Sequence, residues 1–143
     1  MADVVVVAND LLRSGTTGSV RAVEFGEAIT AGQMLYQDGT DQKYYLAVAT
    51  DPTKPANTGQ LAISLTTAAA DQTGVVARTD TQIDFGATAP LTQGEVYVLS
   101  SANAGGIAPV ADLAIASTLT ILGYAISTEI LLLGLNVTGV AKA

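Results

Sequence analysis

What most constrains this chain is a succession of short runs of large apolar and β-branched residues, each closed by a turn signal. Leu61-Ala62-Ile63-Ser64-Leu65-Thr66 alternates large apolar with small or polar residues, and Thr81-Gln82-Ile83-Asp84-Phe85 does the same. A period of two puts one set of side chains on one side of a strand, so both runs read as half-buried strands. Residues 4–8, 44–49, 74–78, 95–99, 119–126 and 130–137 are further strand-length runs, and Asp38-Gly39, Asn57-Thr58-Gly59 and Gly105-Gly106 lie between them as turns. Many short strands between Gly-rich turns predict an all-β fold, a compact sandwich or barrel. Helical patterning is confined to two pieces. Residues 67–72 are Ala-rich but stop at Gly74, too short for a stable helix, and residues 110–117 after Pro109 offer one turn.

The chain has no Cys, His or Trp, with 6 Lys+Arg against 13 Asp+Glu and a net charge of −7. Disulfides are excluded, and so are the usual thiol nucleophiles, imidazole proton shuttles and soft-metal ligands. A length of 143 residues predicts one domain. The basic residues Arg13, Arg21, Lys43, Lys54, Arg78 and Lys142 form no cluster. Phosphate neutralisation needs clustered Lys and Arg, so direct nucleic-acid binding is not expected, nor is attraction to an anionic membrane. Charged residues make up 13% of the chain, against about 25% in an average domain. A surface so poor in charge points to self-association or docking on a larger assembly.

Two apolar stretches invite a membrane reading. The first follows Asp3, an acid where a signal peptide needs a base, and is short, so no targeting segment is expected. The second, residues 119–137, carries Glu129 mid-span and is broken by Thr120, Ser127 and Thr128. A central acid is costly in lipid, so two buried strands joined near Ser127-Thr128 account for it better.

An internal repeat is visible. Ile29-Thr30-Ala31-Gly32-Gln33-Met34-Leu35-Tyr36 parallels Leu91-Thr92-Gln93-Gly94-Glu95-Val96-Tyr97-Val98. Each copy reads apolar, Thr, any residue, Gly, polar, then three apolar residues. The Gly is expected at a turn with positive φ, before a strand that carries core residues. Two copies point to a pseudo-duplicated β unit.

Residues 1–22 read as an extended N-terminal arm and residues 23–143 as the β core. Arg13-Ser14-Gly15-Thr16-Thr17-Gly18 has connector composition. The strand-like run before it has no local partner and is suited to adding to a sheet edge, its own or a neighbour's. Val4, Val5, Val6, Val7, Leu11 and Leu12 are therefore candidate self-interaction or docking residues.

The order of Gly, Ala and apolar positions carries a family likeness. It runs from the Ile29–Gln33 element through Leu61-Ala62-Ile63 into Ala68-Ala69-Ala70, then Leu91-Thr92-Gln93-Gly94-Glu95-Val96-Tyr97-Val98-Leu99-Ser100, Gly105-Gly106-Ile107-Ala108-Pro109, Asp112-Leu113 and Ile121-Leu122-Gly123-Tyr124-Ala125. Over residues 24–135 the chain resembles the small capsid-decoration, or cement, proteins of tailed bacteriophages. The resemblance implies a compact β-sandwich or β-clip-like barrel without catalytic residues or cofactors. It implies a homo-oligomer, with a trimer favoured, seated on the major capsid protein at the outer surface of a virion assembled in a bacterial host. In that setting the arm residues become candidate capsid contacts.

Four other motifs bear on chemistry. Asp38 and Asp41 flank Gly39, but calcium-loop spacing is absent and Asp-Gly is a tight-turn dipeptide. Asp80-Thr81-Gln82 is similar to the aspartic-protease string but has Gln where that string needs Gly, and it has no second copy. Pro52-Thr53-Lys54-Pro55 has PxxP spacing yet also reads as an inter-strand loop, and Asn136-Val137-Thr138 is a formal glycosylation sequon. Two competing functions follow. Tyr36, Tyr44, Tyr45, Tyr97 and Tyr124 could line the face of a tail-fibre or adhesin-like module that binds a cell-surface carbohydrate. Tyrosines at strand positions read more readily as core or interface residues. Arg78 with Asp80 and Asp84 is the one local cluster that a nucleotide hydrolase would use, with no phosphate-cradling Gly loop beside it.

Overall fold

The computed structural model describes residues 20–50, 61–78, 82–85 and 91–142. Ten strands run through these residues. β1 (Val20–Glu24), β2 (Met34–Gln37), β3 (Tyr44–Leu46), β4 (Leu61–Ser64) and β5 (Thr73–Ala77) form one sheet in the order β1-β5-β4-β2-β3. β6 (Gln82–Asp84), β7 (Val96–Leu99), β8 (Ile107–Pro109), β9 (Thr118–Ala125) and β10 (Ile130–Ala141) form the other in the order β6-β10-β9-β7-β8. Every strand pair is antiparallel. The sheets stay open, so of the two expected forms the chain takes the sandwich and not the closed barrel. Among the described residues the only helical turn is the 3-10 segment Val110–Asp112, directly after Pro109. Residues 119–137 fold as parts of β9 and β10, joined where the Ser127 hydroxyl accepts the N–H groups of Glu129 and Ile130. No helix among the described residues is long and apolar enough to cross a membrane.

Two readings are adjusted by the structure. Val20, Arg21 and Ala22, grouped with the arm by the sequence, lie in β1 and pair with Ala77, Val76 and Val75. Leu61–Ser64 is buried at every position, not half-buried. β4 is the central strand of its sheet, and both faces of that sheet are covered. Leu61 and Ile63 belong to the larger hydrophobic cluster, and Ala62 to a smaller one with Phe25, Ile29, Leu35, Tyr44 and Val76. The alternation of the sequence separates two cores here, not core from solvent.

The strand orders of the two sheets are identical once five is added to each label, so the chain consists of two topologically equivalent units, β1–β5 and β6–β10. The equivalence extends to individual hydrogen bonds. Gly32 N–H donates to the Ser64 carbonyl, and Gly94 N–H to that of Ala125. Gln33 donates to Thr30, and Glu95 to Thr92. Phe25 N–H donates to Gln72, and Phe85 N–H to Glu129. Gly32 and Gly94 adopt φ values of 91° and 84°, the left-handed turn expected from the sequence repeat. Without a Cβ, glycine takes this conformation at little cost.

The units do not pack face to face. In the first, Met34 pairs with Ile63 and Ile63 with Ala77, a row across β2, β4 and β5. In the second, the equivalent row is Val96, Tyr124 and Leu132 across β7, β9 and β10. We term the side carrying these rows the front face. The back-face row Leu35–Ala62 of the first unit corresponds to Tyr97–Gly123–Leu133 of the second. Met34, Ile63 and Ala77 lie in the same central cluster as Tyr97, Leu131, Leu133 and Phe85. Front of the first unit therefore meets back of the second, and the units stack head to tail. Phe25 and Ile29 close the back of the first unit as Phe85 and Leu91 close that of the second.

Two predictions follow from this packing. A Cβ at Gly123 would fall 2.0 Å from the Leu132 carbonyl oxygen, whereas one at Gly94 would meet nothing within 4 Å. Gly123→Ala is expected to cost roughly 3 kcal/mol, because backbone has to move. Gly94→Val is expected to cost about 1–3 kcal/mol through its positive φ alone. Urea denaturation of both variants measures the two costs, and a smaller effect at Gly123 than at Gly94 would contradict the register of β9 against β10. Thr120 is fully buried and its hydroxyl has no hydrogen-bond partner among the described residues. Thr120→Val removes an unpaired polar group without changing side-chain shape and is expected to stabilise the fold by about 1 kcal/mol; a lowered melting temperature would contradict this.

Candidate interaction surface

The polar side chains of the β2–β3 connection are committed to holding the turn. Asp38 accepts the Thr40 N–H at 2.7 Å and Asp41 the Lys43 N–H at 2.9 Å. Both are side-chain turns of the kind Asp forms readily. The second Asp41 oxygen accepts the Tyr45 hydroxyl at 2.6 Å. The Tyr45 ring lies 6.0 Å from that of Tyr36. The turn reading of this segment holds. No group of three or more acidic side chains gathers to hold a metal ion among the described residues.

Charges elsewhere serve the same end. The Lys43 ammonium lies 2.7 Å from Asp71 and 3.1 Å from Glu24, tying the β2–β3 connection to β1 and to the β4–β5 connection. These partners, Asp71 first, raise the Lys43 pKa above its ordinary value. The groups are solvent-accessible, so the pairs orient the chain more than they stabilise it. Glu27 accepts the Leu46 N–H at 2.9 Å. Arg78 donates to the Tyr44 hydroxyl. Of its two sequence companions, Asp84 sits in β6 opposite Ile130 and Asp80 lies outside the described residues. Asn136 is exposed in β10 opposite Ile121, and the Thr138 hydroxyl donates to the Leu119 carbonyl, so the sequon residues belong to a paired strand. The PxxP string lies outside the described residues, as do Val4, Val5, Val6, Val7, Leu11 and Leu12.

The tyrosines divide sharply. Tyr36, Tyr44 and Tyr97 are buried, and Tyr45 is half-buried with its hydroxyl on Asp41. Tyr124 is 47% exposed. On its left and right stand Val96, 37% exposed, and the half-buried Leu132. This row is the front face of the second unit, an apolar strip across three neighbouring strands. The equivalent residues of the first unit, Met34, Ile63 and Ala77, are completely buried. Sequence reasoning missed the strip, because Val96 and Tyr124 sit in apolar runs and no local pattern shows which face of a strand stays open. Val20, Ile115 and Val140 are the other exposed large apolar residues among the described ones.

Comparison of the chain with models of known protein families finds no match, and no curated protein matches it.

The Tyr45–Asp41 pair yields a pH prediction. Its hydrogen bond to Asp41 pushes the Tyr45 pKa up to about 12 and, with the Lys43 N–H, lowers that of Asp41. The neutral phenol is the stabilised form, so its contribution is full below pH 10, the usual tyrosine value, and lost as pH rises through about 12. The Asp41 contribution runs the other way: it is present above the ordinary carboxylate range and lost as pH falls through the lowered value. NMR titration of the ring carbons is expected to show Tyr45 ionising at about 12, above the usual tyrosine value, and Asp41→Asn to return it toward that value. A parent Tyr45 that ionises at the usual value would refute the pairing.

Proposed function

We propose that the protein is a structural decoration subunit that binds the outer surface of the major capsid protein shell of a tailed bacteriophage and stabilises the head. The single observation that carries this reading is a division of labour: the carboxylates of Glu24, Glu27, Asp38, Asp41 and Asp71 serve backbone N–H groups and ion pairs, while the row Val96–Tyr124–Leu132 on an open sheet face is apolar. The resemblance over residues 24–135 supports it, and the two-sheet fold agrees with what that resemblance implies. A cement subunit works by burying apolar area against assembled capsomers, at about 25 cal/mol per Å². Binding only the assembled form, it stabilises that form by mass action, and repetition over a symmetric shell multiplies a modest gain. Such a subunit needs neither basic patches nor catalytic groups. Self-association, with a trimer favoured, is part of this reading.

The carbohydrate-binding alternative gains little, because one tyrosine in five is exposed and a sugar platform uses several accessible rings. The nucleotide-hydrolase alternative has Arg78 turned to Tyr44.

Co-sedimentation with assembled capsids tests the proposal. The purified protein is expected to pellet with mature shells in a saturable manner and to raise their melting temperature. No binding, or equal binding to unassembled capsid protein, would overturn it. The first described strand begins at Val20, so deleting residues 1–15 removes no described sheet residue. If the arm anchors the subunit, the truncated protein keeps its far-ultraviolet spectrum and loses capsid occupancy. Unchanged occupancy would dismiss the arm.

A further inference from the structure

We propose that the front face of the second unit, the row Val96–Tyr124–Leu132, docks a second copy of this chain, which covers it with the back of its own first unit. The molecule itself shows what covers such a face. Met34, Ile63 and Ala77 occupy the same positions in the first unit and are entirely buried, and what buries them is the back of a unit with the same topology. Among the described residues the head-to-tail stack therefore ends with one front face unused. At its other end stands the back of the first unit, closed by Phe25, Ile29 and Ala68. Ile29 and Ala68 are bridged, with both side chains turned into that small core. Their neighbours Ala28 and Ala69 are exposed, small and uncharged, which permits close approach. A contact between two different faces is heterologous, and it closes into a ring or continues as a filament according to the rotation between copies. The inference rests on the self-association part of the reading above and not on the capsid part.

The experiment uses the full chain without capsids. Sedimentation of the parent over a range of concentrations is expected to show an oligomer. Tyr124→Lys and Val96→Lys each alter an exposed side chain, and either is expected to weaken association at least about tenfold with an unchanged far-ultraviolet spectrum. Ala69→Lys, at the opposite end, is expected to do the same. Mixing Tyr124→Lys with Ala69→Lys then decides the geometry. Each variant keeps one intact face, so the mixture is expected to form a dimer that grows no further. A parent that stays monomeric overturns the proposal. So does an oligomer indifferent to both strip variants, or a mixture that stays monomeric when each variant alone is monomeric. Capsid co-sedimentation of the same variants is read separately, so loss of shell binding without loss of self-association bears on the capsid reading alone.

Discussion

The molecule depends on the contact between the front of the first sheet and the back of the second. Met34, Ile63 and Ala77 bring one layer, and Tyr97, Leu131, Leu133 and Phe85 bring the other, into one central cluster. Neither sheet is self-sufficient without it. A five-stranded antiparallel sheet has two faces, and each unit supplies its own cover for only one, the back, through Phe25 and Ile29 or Phe85 and Leu91. The front face must find its cover elsewhere. In the first unit the second supplies it. In the second unit nothing among the described residues does so completely.

A two-fold sandwich would have buried both fronts against each other and left two closed backs outside. The head-to-tail arrangement gives the molecule polarity instead: a small closed core at one end and an apolar strip at the other. On the function proposed above, the strip is the surface where association with copies or a shell would bury apolar area. The carboxylates of Glu27, Asp38 and Asp41 are engaged with Leu46, Thr40, Lys43 and Tyr45, which leaves them as parts of the scaffold.

The register in the second unit is locally irregular, and this too follows from packing. β7 shifts against β9 between Tyr97 and Val98, beside Gly123, where β10 brings the Leu132 carbonyl close. A side chain there would separate the two longest strands. β10 shifts twice against β9 further on. Bulges of this kind increase twist and let one strand serve a longer partner without carrying every side chain to the wrong face.

Strand content, the turns at Gly32 and Gly94, and the duplication of the Thr-x-Gly element were all determined by the sequence alone, because they depend on local alternation and on backbone conformations that only certain residues adopt cheaply. The hairpin near Ser127-Thr128 was legible for the same reason. Residues 61–64 show where that legibility stops: alternation told two faces apart but not that each would be covered. Val96 and Met34 occupy the same place in the repeat and are both apolar, yet one is exposed and the other fully buried. Only the tertiary structure decided between them, since burial is set by what another part of the chain lays over a face, and two units stacked in one direction leave one face without a partner among the described residues.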